Sequence, residues 1–538
     1  RSTTLLAAII ASCAMVLSLT ACTSDNKTVV DGQTTVTSNS AGGVAVFTPS
    51  DGITLNQQTP LNKWAKLVPD LAKALADAGF KKGDIDHTTS DSLAKQSRAI
   101  QDFVVDHLSN NTTDDSGIAI APDNMTLLVA PVVEADASTR QYGDYVSQNL
   151  STNDATDGEA TSDGESSEDD SSKDDSSNTE SDSTASDEQA QAVDRLVSSL
   201  KLAKESGMHV VLLGNSIEGY KPDAFVKFSD AQTIGKLQAE KMVSKLKLDK
   251  ASKDNPKYIE VLLPYTAVDE KGNANDSTFA QEAFRGIWQV LGSYYQKGVV
   301  ESPSGTLDGK STENDWQAVA YDAAKEGSTA KVLDKRLAKT DGQSTLTRID
   351  GIITMNDYIA SEVVKELDDL GYTGSAADIN PQITISGIVG NITGKKDLSR
   401  DAVPDPIKSP ENDNANDSSS SDDDADEDTS ASDKDRDSQW PLVTGYGAYV
   451  SNIPSIVNGK QWMTGMEDRQ TIATDIAQAC AKLNKDEALN SMPSIRNSEV
   501  GGVKKIPTIS EPLLAVSASN LKSALIDPGY ISLADAGL

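Results

Sequence analysis

The chain is poor in the residues that staple, ligate and stack. Its 538 residues include three cysteines and three histidines, and aromatics make up 5%. Cysteines at 13, 22 and 480, the first inside a leading apolar run, do not make a disulfide framework. Cys480 lies in "TDIAQACAKLN", a helical pattern, and reads as a small buried residue. His87, His107 and His209 show no metal-ligand spacing, so neither metal nor cofactor is expected. Long apolar runs are scarce as well. The run over 5–19 falls short of the roughly 20 residues that a spanning helix needs, and has the length of a signal-peptide core. Positive charge is also in deficit, with 48 Lys and Arg against 82 Asp and Glu, which argues against nucleic acid as a partner.

The resulting net charge of −34 is concentrated in two tracts. Residues 153–188 hold fourteen acidic side chains and one Lys, and residues 411–438 hold twelve with one Lys and one Arg. Both tracts are rich in Ser, Asp and Glu and nearly devoid of apolar residues. They cannot offset the entropy of ordering, so they are expected to be disordered insertions. "SDDDADED" has neither the glycine nor the spaced ligands of an EF-hand loop, which leaves weak ion condensation as its expected chemistry.

After the apolar run comes Leu19-Thr20-Ala21-Cys22, which resembles the lipobox of bacterial lipoproteins. The resemblance implies a signal peptide over 1–21, lipidation of Cys22 and a flexible lipid-anchored tether over 22–43. An acyl anchor of that kind holds a domain at the outer face of a membrane without spanning it. The alternative is an ordinary signal peptide with an incidental cysteine.

Beyond the tether, apolar strands alternate with amphipathic helices. "GGVAVFTP" reads as a strand and "LNKWAKLVPDLAKALADAGF" as a helix. "MTLLVAPVV" is the next strand, followed by a helix that the first acidic tract interrupts and that resumes at "QAVDRLVSSLKLAKESG". "MHVVLLGN", "KYIEVLLPY" and "IDGIITMND" continue the strands, with helices at "FAQEAFRGIWQVLGSYYQKG" and "YIASEVVKELDDLGY". Apolar strands alternating with amphipathic helices argue for parallel sheets with helices on both faces. Either "PQITISGIVG" or "WPLVTGYGAYV" fits the last strand of the second sheet.

Five stretches in order carry a resemblance to a known family. They are "NKWAKLVPDLAKALADAGF", "SDAQTIGKLQAEKM", "IDGIITMNDYIASEVV", "IPSIVNGKQWMTGMEDRQTIA" and the C-terminal "KKIPTISEPLLAVSASNLKSALIDPGYIS". Over most of 44–538 the chain resembles the type I solute-binding proteins, in particular the multiple-sugar and xylose-type receptors of ABC transporters. The resemblance implies an α/β fold of two Rossmann-like lobes with parallel sheets, joined by a three-strand hinge. It implies an N-terminal lobe over 44–229 with an acidic insertion at about 152–189, and a C-terminal lobe over 230–464 with a second at about 400–438. The chain then returns to the N-terminal lobe over 465–500 and ends in a closing hinge strand and tail over 501–538. A monomer is implied that captures a mono- or oligosaccharide between the lobes and presents it to a membrane permease, with no chemistry of its own. Open α/β sheets bind ligands beyond the carboxyl ends of their strands, and interdomain crevices are favoured pockets, so physics points to the same cleft.

The resemblance also nominates site residues. Trp64 matches an aromatic that stacks on a sugar ring; the alternative is a core tryptophan at a helix start. Lys63 stands where relatives carry Arg, and offers a point donor rather than a planar fork, or is a solvated surface lysine. Gln96 matches a helix-start Gln near the cleft, or is a surface residue. Asp230 matches the first member of an Asp-Asn pair at the crossover, whose Asn is here Ala231, or caps a helix. Asn356 and Asp357 follow an apolar strand and match a polar pair that bonds sugar hydroxyls, or cap the next helix. Glu467 and Asp468 fall where the chain crosses back to the first lobe.

The chain also departs from the pattern. Gly214-Asn215 stands in place of an Asp-Arg pair, and Val133-Glu134 in place of Asp-Gly. Neither candidate last strand supplies the expected Asp. An enzyme is disfavoured: "SGTLDGKST" lacks the first glycine of a phosphate loop, and no G-x-S-x-G elbow occurs. A stronger rival is a surface sensor or accessory lipoprotein of the same fold that binds a non-sugar ligand or a partner protein.

Overall fold

The apolar strands pair edge to edge through their backbones, and amphipathic helices bury the faces of the sheets they form. The computed structural model describes residues 26–30, 33–37, 41–50, 60–110, 120–133, 139–152, 180–266, 276–338, 346–376 and 440–538. The signal segment, Cys22, Glu134, "PQITISGIVG", most of the first acidic tract and all of the second lie outside these residues. Residues 26–30 and 33–37 form an antiparallel hairpin.

In chain order the principal strands are β1 (Gly43–Pro49), β2 (Ile85–Ser90), β3 (Met125–Val129), β4 (His209–Leu213), β5 (Ala224–Lys227), β6 (Lys257–Val261), β7 (Val300–Glu301), β8 (Gly351–Ile353), β9 (Leu442–Val443), β10 (Met463–Met466), β11 (Ile495–Val500), β12 (Val503–Ser510) and β13 (Leu514–Ser517). The principal helices are α1 (Trp64–Asp77), α2 (Leu93–Asn110), α3 (Glu180–Glu205), α4 (Ala231–Lys245), α5 (Thr278–Gln296), α6 (Ser328–Arg336), α7 (Asp357–Leu370) and α8 (Arg469–Leu483).

The first lobe is a seven-stranded sheet of order β11-β12-β5-β4-β3-β1-β2, parallel except where β11 meets β12. The second is a parallel four-stranded sheet of order β7-β6-β8-β9. A bridge between Tyr446 and Gly465 continues it toward the antiparallel pair β10 and β13. "WPLVTGYGAYV" therefore supplies the strand beside β8. The chain crosses between lobes three times, at 228–230, 467–468 and 511–513. Parallel strands buried on both faces explain the near-continuous Val and Leu of β3 and β4.

Two differences from the sequence pattern are local. Helix α3 begins at Glu180, inside the first acidic tract, because propagation adds one hydrogen bond per residue once a turn exists. Among the described residues between β3 and that tract none is α-helical: 139–150 runs as a short 3-10 turn at Arg140–Tyr142 and a two-residue strand, Asn149–Leu150, paired with Ser216–Ile217. Gly143 sits at φ 93°, ψ −168°, a conformation open to glycine almost alone, and stops a helix there.

Helix α1 places Trp64, Leu67, Leu71 and Leu75 on its buried stripe, and α8 adds Ile472, Ile476 and a fully buried Cys480 to the same core. In the second lobe an ion pair is buried. Arg336 donates to Val261 O and, at 2.9 Å, to Val319 O, and approaches Glu260 Oε2 at 3.4 Å. Glu260 also accepts the Ser304 amide at 2.9 Å, which pins the "SGTLDGKST" loop. The tail closes a further cluster, setting Leu521, Leu525, Ile531 and Ala536 against Leu61, Ala448, Ile453 and Ile456.

Candidate functional site

The cleft between the lobes is lined by helix starts and crossings, where strands end and backbone N–H groups are free to bond side chains. Segment 139–150 runs through it. Its residues meet Lys63, Trp64 and Asn356 directly.

Lys63 Nζ lies 2.8 Å from Asp144 Oδ1, and the Trp64 amide donates to Asp144 Oδ2 at 3.0 Å. Tyr145 Oη donates to Lys63 O at 2.5 Å. The Trp64 indole is 2% exposed and meets Tyr145 and Phe228 edge-on, at centroid distances of 5.1 and 5.6 Å. Its far edge lies against the Gly214 backbone. Asn356 caps α7 by accepting the Ile359 amide, and its Nδ2 donates to Gln141 Oε1 at 3.1 Å. Gln141 O in turn accepts Tyr449 Oη at 2.7 Å. Next to it, the Tyr142 ring is fully buried 4.7 Å from Phe279 and 6.2 Å from Tyr446.

The other nominated residues are placed apart from this line. Asp357 is fully buried inside the second lobe. It accepts from the Tyr449 amide (2.9 Å), Thr464 Oγ1 (2.8 Å) and Gln461 Nε2 (2.7 Å). Burial outweighs these donors and raises its carboxyl to about 6. The fit depends on Gly445, where a Cβ would stand 2.1 Å from Asp357 Oδ1. Gln96 is buried at the end of β3, donating to Ala130 O and accepting the Val132 amide. Asp468 caps α8 through Thr471.

Asp230 caps α4 in a reciprocal box with Thr233 and pairs with Lys227 at 2.9 Å. Burial alone would raise its carboxyl, but the Lys227 ammonium and the Thr233 donors together hold it below the usual range. Glu467, at the second crossing, reaches the first: its Oε1 accepts the Ser229 amide at 2.6 Å and Tyr446 Oη at 3.3 Å. Burial raises this carboxyl to about 7.

Sequence reasoning passed over Asn62, Gln141, Tyr142, Asp144, Tyr145, Ser147, Ser229 and Tyr446. One signal was available, since "RQYGDYVS" carries two tyrosines in a chain short of aromatics, directly ahead of an acidic tract. Among the described residues where the lobes meet, Asn62 Nδ2, Tyr142 Oη and Ser147 Oγ are buried without a hydrogen-bond partner. Tyr142 Oη faces the Asn356 side chain but forms no well-aligned bond with it.

Two parallel-sheet lobes, three crossings and a cleft between them define a type I periplasmic-binding-protein fold. No family model and no curated protein matches the chain. Among solved structures, it is similar to an ABC transporter solute-binding protein from Clostridium phytofermentans with bound β-D-glucose, at 17% identity and TM-score 0.44, over 92% of this chain and 99% of that one. It is also similar to a carbohydrate transporter solute-binding protein from Chloroflexus aurantiacus in complex with D-glucose, at 18% identity and TM-score 0.43, over 93% and 98%. A periplasmic ribose ABC transporter from Conexibacter woesei follows at 13% identity and TM-score 0.42, over 91% and 96%.

Proposed function

We propose that this protein is an extracytoplasmic solute-binding lipoprotein, anchored through Cys22, that captures a neutral polyhydroxylated molecule of the sugar class between its lobes and presents it to an ABC permease. The observation that carries the reading is the pair of unpartnered polar atoms at the lobe junction, Asn62 Nδ2 and Ser147 Oγ. A buried polar group without a partner costs roughly 1–3 kcal/mol, and a hydroxyl-rich ligand supplies both donors and acceptors. Charge argues for a neutral ligand. Lys63 is paired with Asp144, and the Asp357 and Glu467 carboxyls are engaged inside the protein.

A thermal-shift screen of the purified chain against mono- and oligosaccharides, amino acids and nucleosides tests this. A ligand at a hundred times its dissociation constant stabilises the folded state by about 2.7 kcal/mol. A shift confined to one sugar class supports the reading; a cooperative melt that no compound moves refutes it. One observation favours the second reading, a sensor or accessory protein of the same fold: residues 139–150 already engage Lys63, Trp64 and Asn356.

A further inference from the structure

The segment in the cleft joins both lobes, and its contacts divide unevenly between them. On the first lobe, Asp144 binds Lys63 Nζ and the Trp64 amide, the Asp144 amide donates to Asn62 O at 2.8 Å, and Tyr145 Oη donates to Lys63 O. The segment continues past the Ser147 amide, bonded to Ser229 O at 3.2 Å, and the Gln148 amide, bonded to Asn215 Oδ1 at 3.0 Å. The strand pairing of Asn149–Leu150 with Ser216–Ile217 then secures it to the same lobe. On the second lobe it holds by less: Asn356 Nδ2 to Gln141 Oε1, Tyr449 Oη to Gln141 O, and the Tyr142 ring between Phe279 and Tyr446.

We propose that residues 139–150 are a strap, a built-in occupant of the cleft that ties the lobes together without a ligand. It is fixed to the first lobe by an ion pair, several backbone bonds and a strand pairing. Its grip on the second lobe is smaller: the two hydrogen bonds of Gln141 and the packing of Tyr142 and Val146. That asymmetry makes it a hinged catch: on the strap, separation of the lobes breaks the two Gln141 hydrogen bonds and uncovers Tyr142 and Val146 while the rest stays put. Outside the strap it must also break the Leu61 amide bond to Gly447 O. The strap is also an imperfect occupant. It leaves Ser147 Oγ buried and unbonded, as Asn62 Nδ2 is on the first lobe, and an occupant that bonds these two groups gains what the strap forgoes. If the cleft is the ligand site proposed above, ligand competes with Gln141 and Tyr142, and the strap sets an affinity threshold in the sense of a fractionally populated binding-competent state.

The test compares the chain with the double variant Gln141→Ala/Tyr142→Ala by small-angle X-ray scattering without added ligand. The milder pair Gln141→Ala/Tyr449→Phe covers the chance that loss of the Tyr142 ring disturbs folding. The strap predicts a compact wild type and a larger radius of gyration in both variants, each still melting cooperatively. Equal radii in folded protein would overturn it. Asp144→Asn loosens only the attachment to the first lobe and is expected to leave the radius at the wild-type value; an opening as large as that of the Gln141 variants would overturn the catch. For any sugar found in the screen, the strap predicts about tenfold or more tighter binding by the variants, corresponding to a competent fraction of one in ten or less in the wild type. Weaker binding would make Gln141 and Tyr142 ligand contacts and overturn the competition. If no ligand is found, the proposed transport function fails, and the scattering comparison still decides the strap.

Discussion

Glu467 and Ser229, on different crossings of the hinge, are joined by a 2.6 Å hydrogen bond from the Ser229 amide to the Glu467 carboxylate, and Tyr446 Oη closes the group from the second lobe. This ties the first crossing to the second at a point where burial raises the Glu467 carboxyl to about 7. Asp357, raised to about 6 by burial, lies in the second lobe.

The first prediction is a pH dependence. Both carboxyls bind protons more tightly when folded than in the unfolded chain. Their contribution is therefore fully present below the unfolded values near 4 and is lost as pH rises through 6 to 7. Each site changes stability by up to about 1.4 kcal/mol per pH unit inside its window. The melting temperature is expected to be higher at pH 5 than at pH 8. Glu467→Gln, which stays neutral, should flatten the upper part of that profile; an unchanged slope in this variant would show that Glu467 does not titrate there.

A second prediction concerns Trp64. Its indole is enclosed by Tyr145, Phe228 and the Gly214 backbone. Trp64→Ala should cost about 3–5 kcal/mol, as large-to-small changes in a core do. Chemical denaturation measures it, and a loss below about 1 kcal/mol would mean that the ring is dispensable to the core.

Gly143 provides the third. A Cβ there would stand 2.5 Å from Asn62 O, and the backbone lies in a region that L residues avoid. Gly143→Ala is expected to destabilise the fold by about 1–3 kcal/mol and to shift the strap. Urea unfolding gives the first effect and the scattering radius the second.

The fourth is the buried pair of the second lobe. Arg336→Ala leaves the Glu260 carboxylate buried without its cation, at a cost of about 3–5 kcal/mol. Replacing both, as Glu260→Gln with Arg336→Met, should recover much of that loss. A double variant no more stable than Arg336→Ala would place the effect in packing rather than charge.

The architecture was largely legible in the sequence because it rests on short-range periodicity. The apolar spacing of α1, the strand-then-Asn-Asp pattern ahead of α7 and the crossing at Asp230 each occupy fewer than twenty consecutive residues. The cleft was less legible. Gln141 meets Asn356 at a separation of 215 positions and Tyr449 at 308, and no local pattern encodes such pairings. The strand-then-helix alternation misled as well, since it suggested an interrupted helix where Gly143, at φ 93°, ends a 3-10 turn. Asn215, where a relative's Asp-Arg pair was expected, instead holds the Gln148 backbone, a use that only the folded chain discloses.

The first lobe is assembled from two stretches of chain with the second lobe inserted between them, and this bears on how the molecule comes into being. Thr126 on β3 bonds Asn484 at the end of α8, 358 positions later, and Asn484 also bonds Ala41 O and Gly43 O. A chain delivered N-terminus first at about 5–20 residues per second must wait roughly 20–70 s for that partner. Through that interval β5 presents an open parallel edge, since β12 has yet to arrive, and open edges invite pairing with other chains. The lobe that starts first is finished last, so assembly of this protein is paced by its C-terminal quarter.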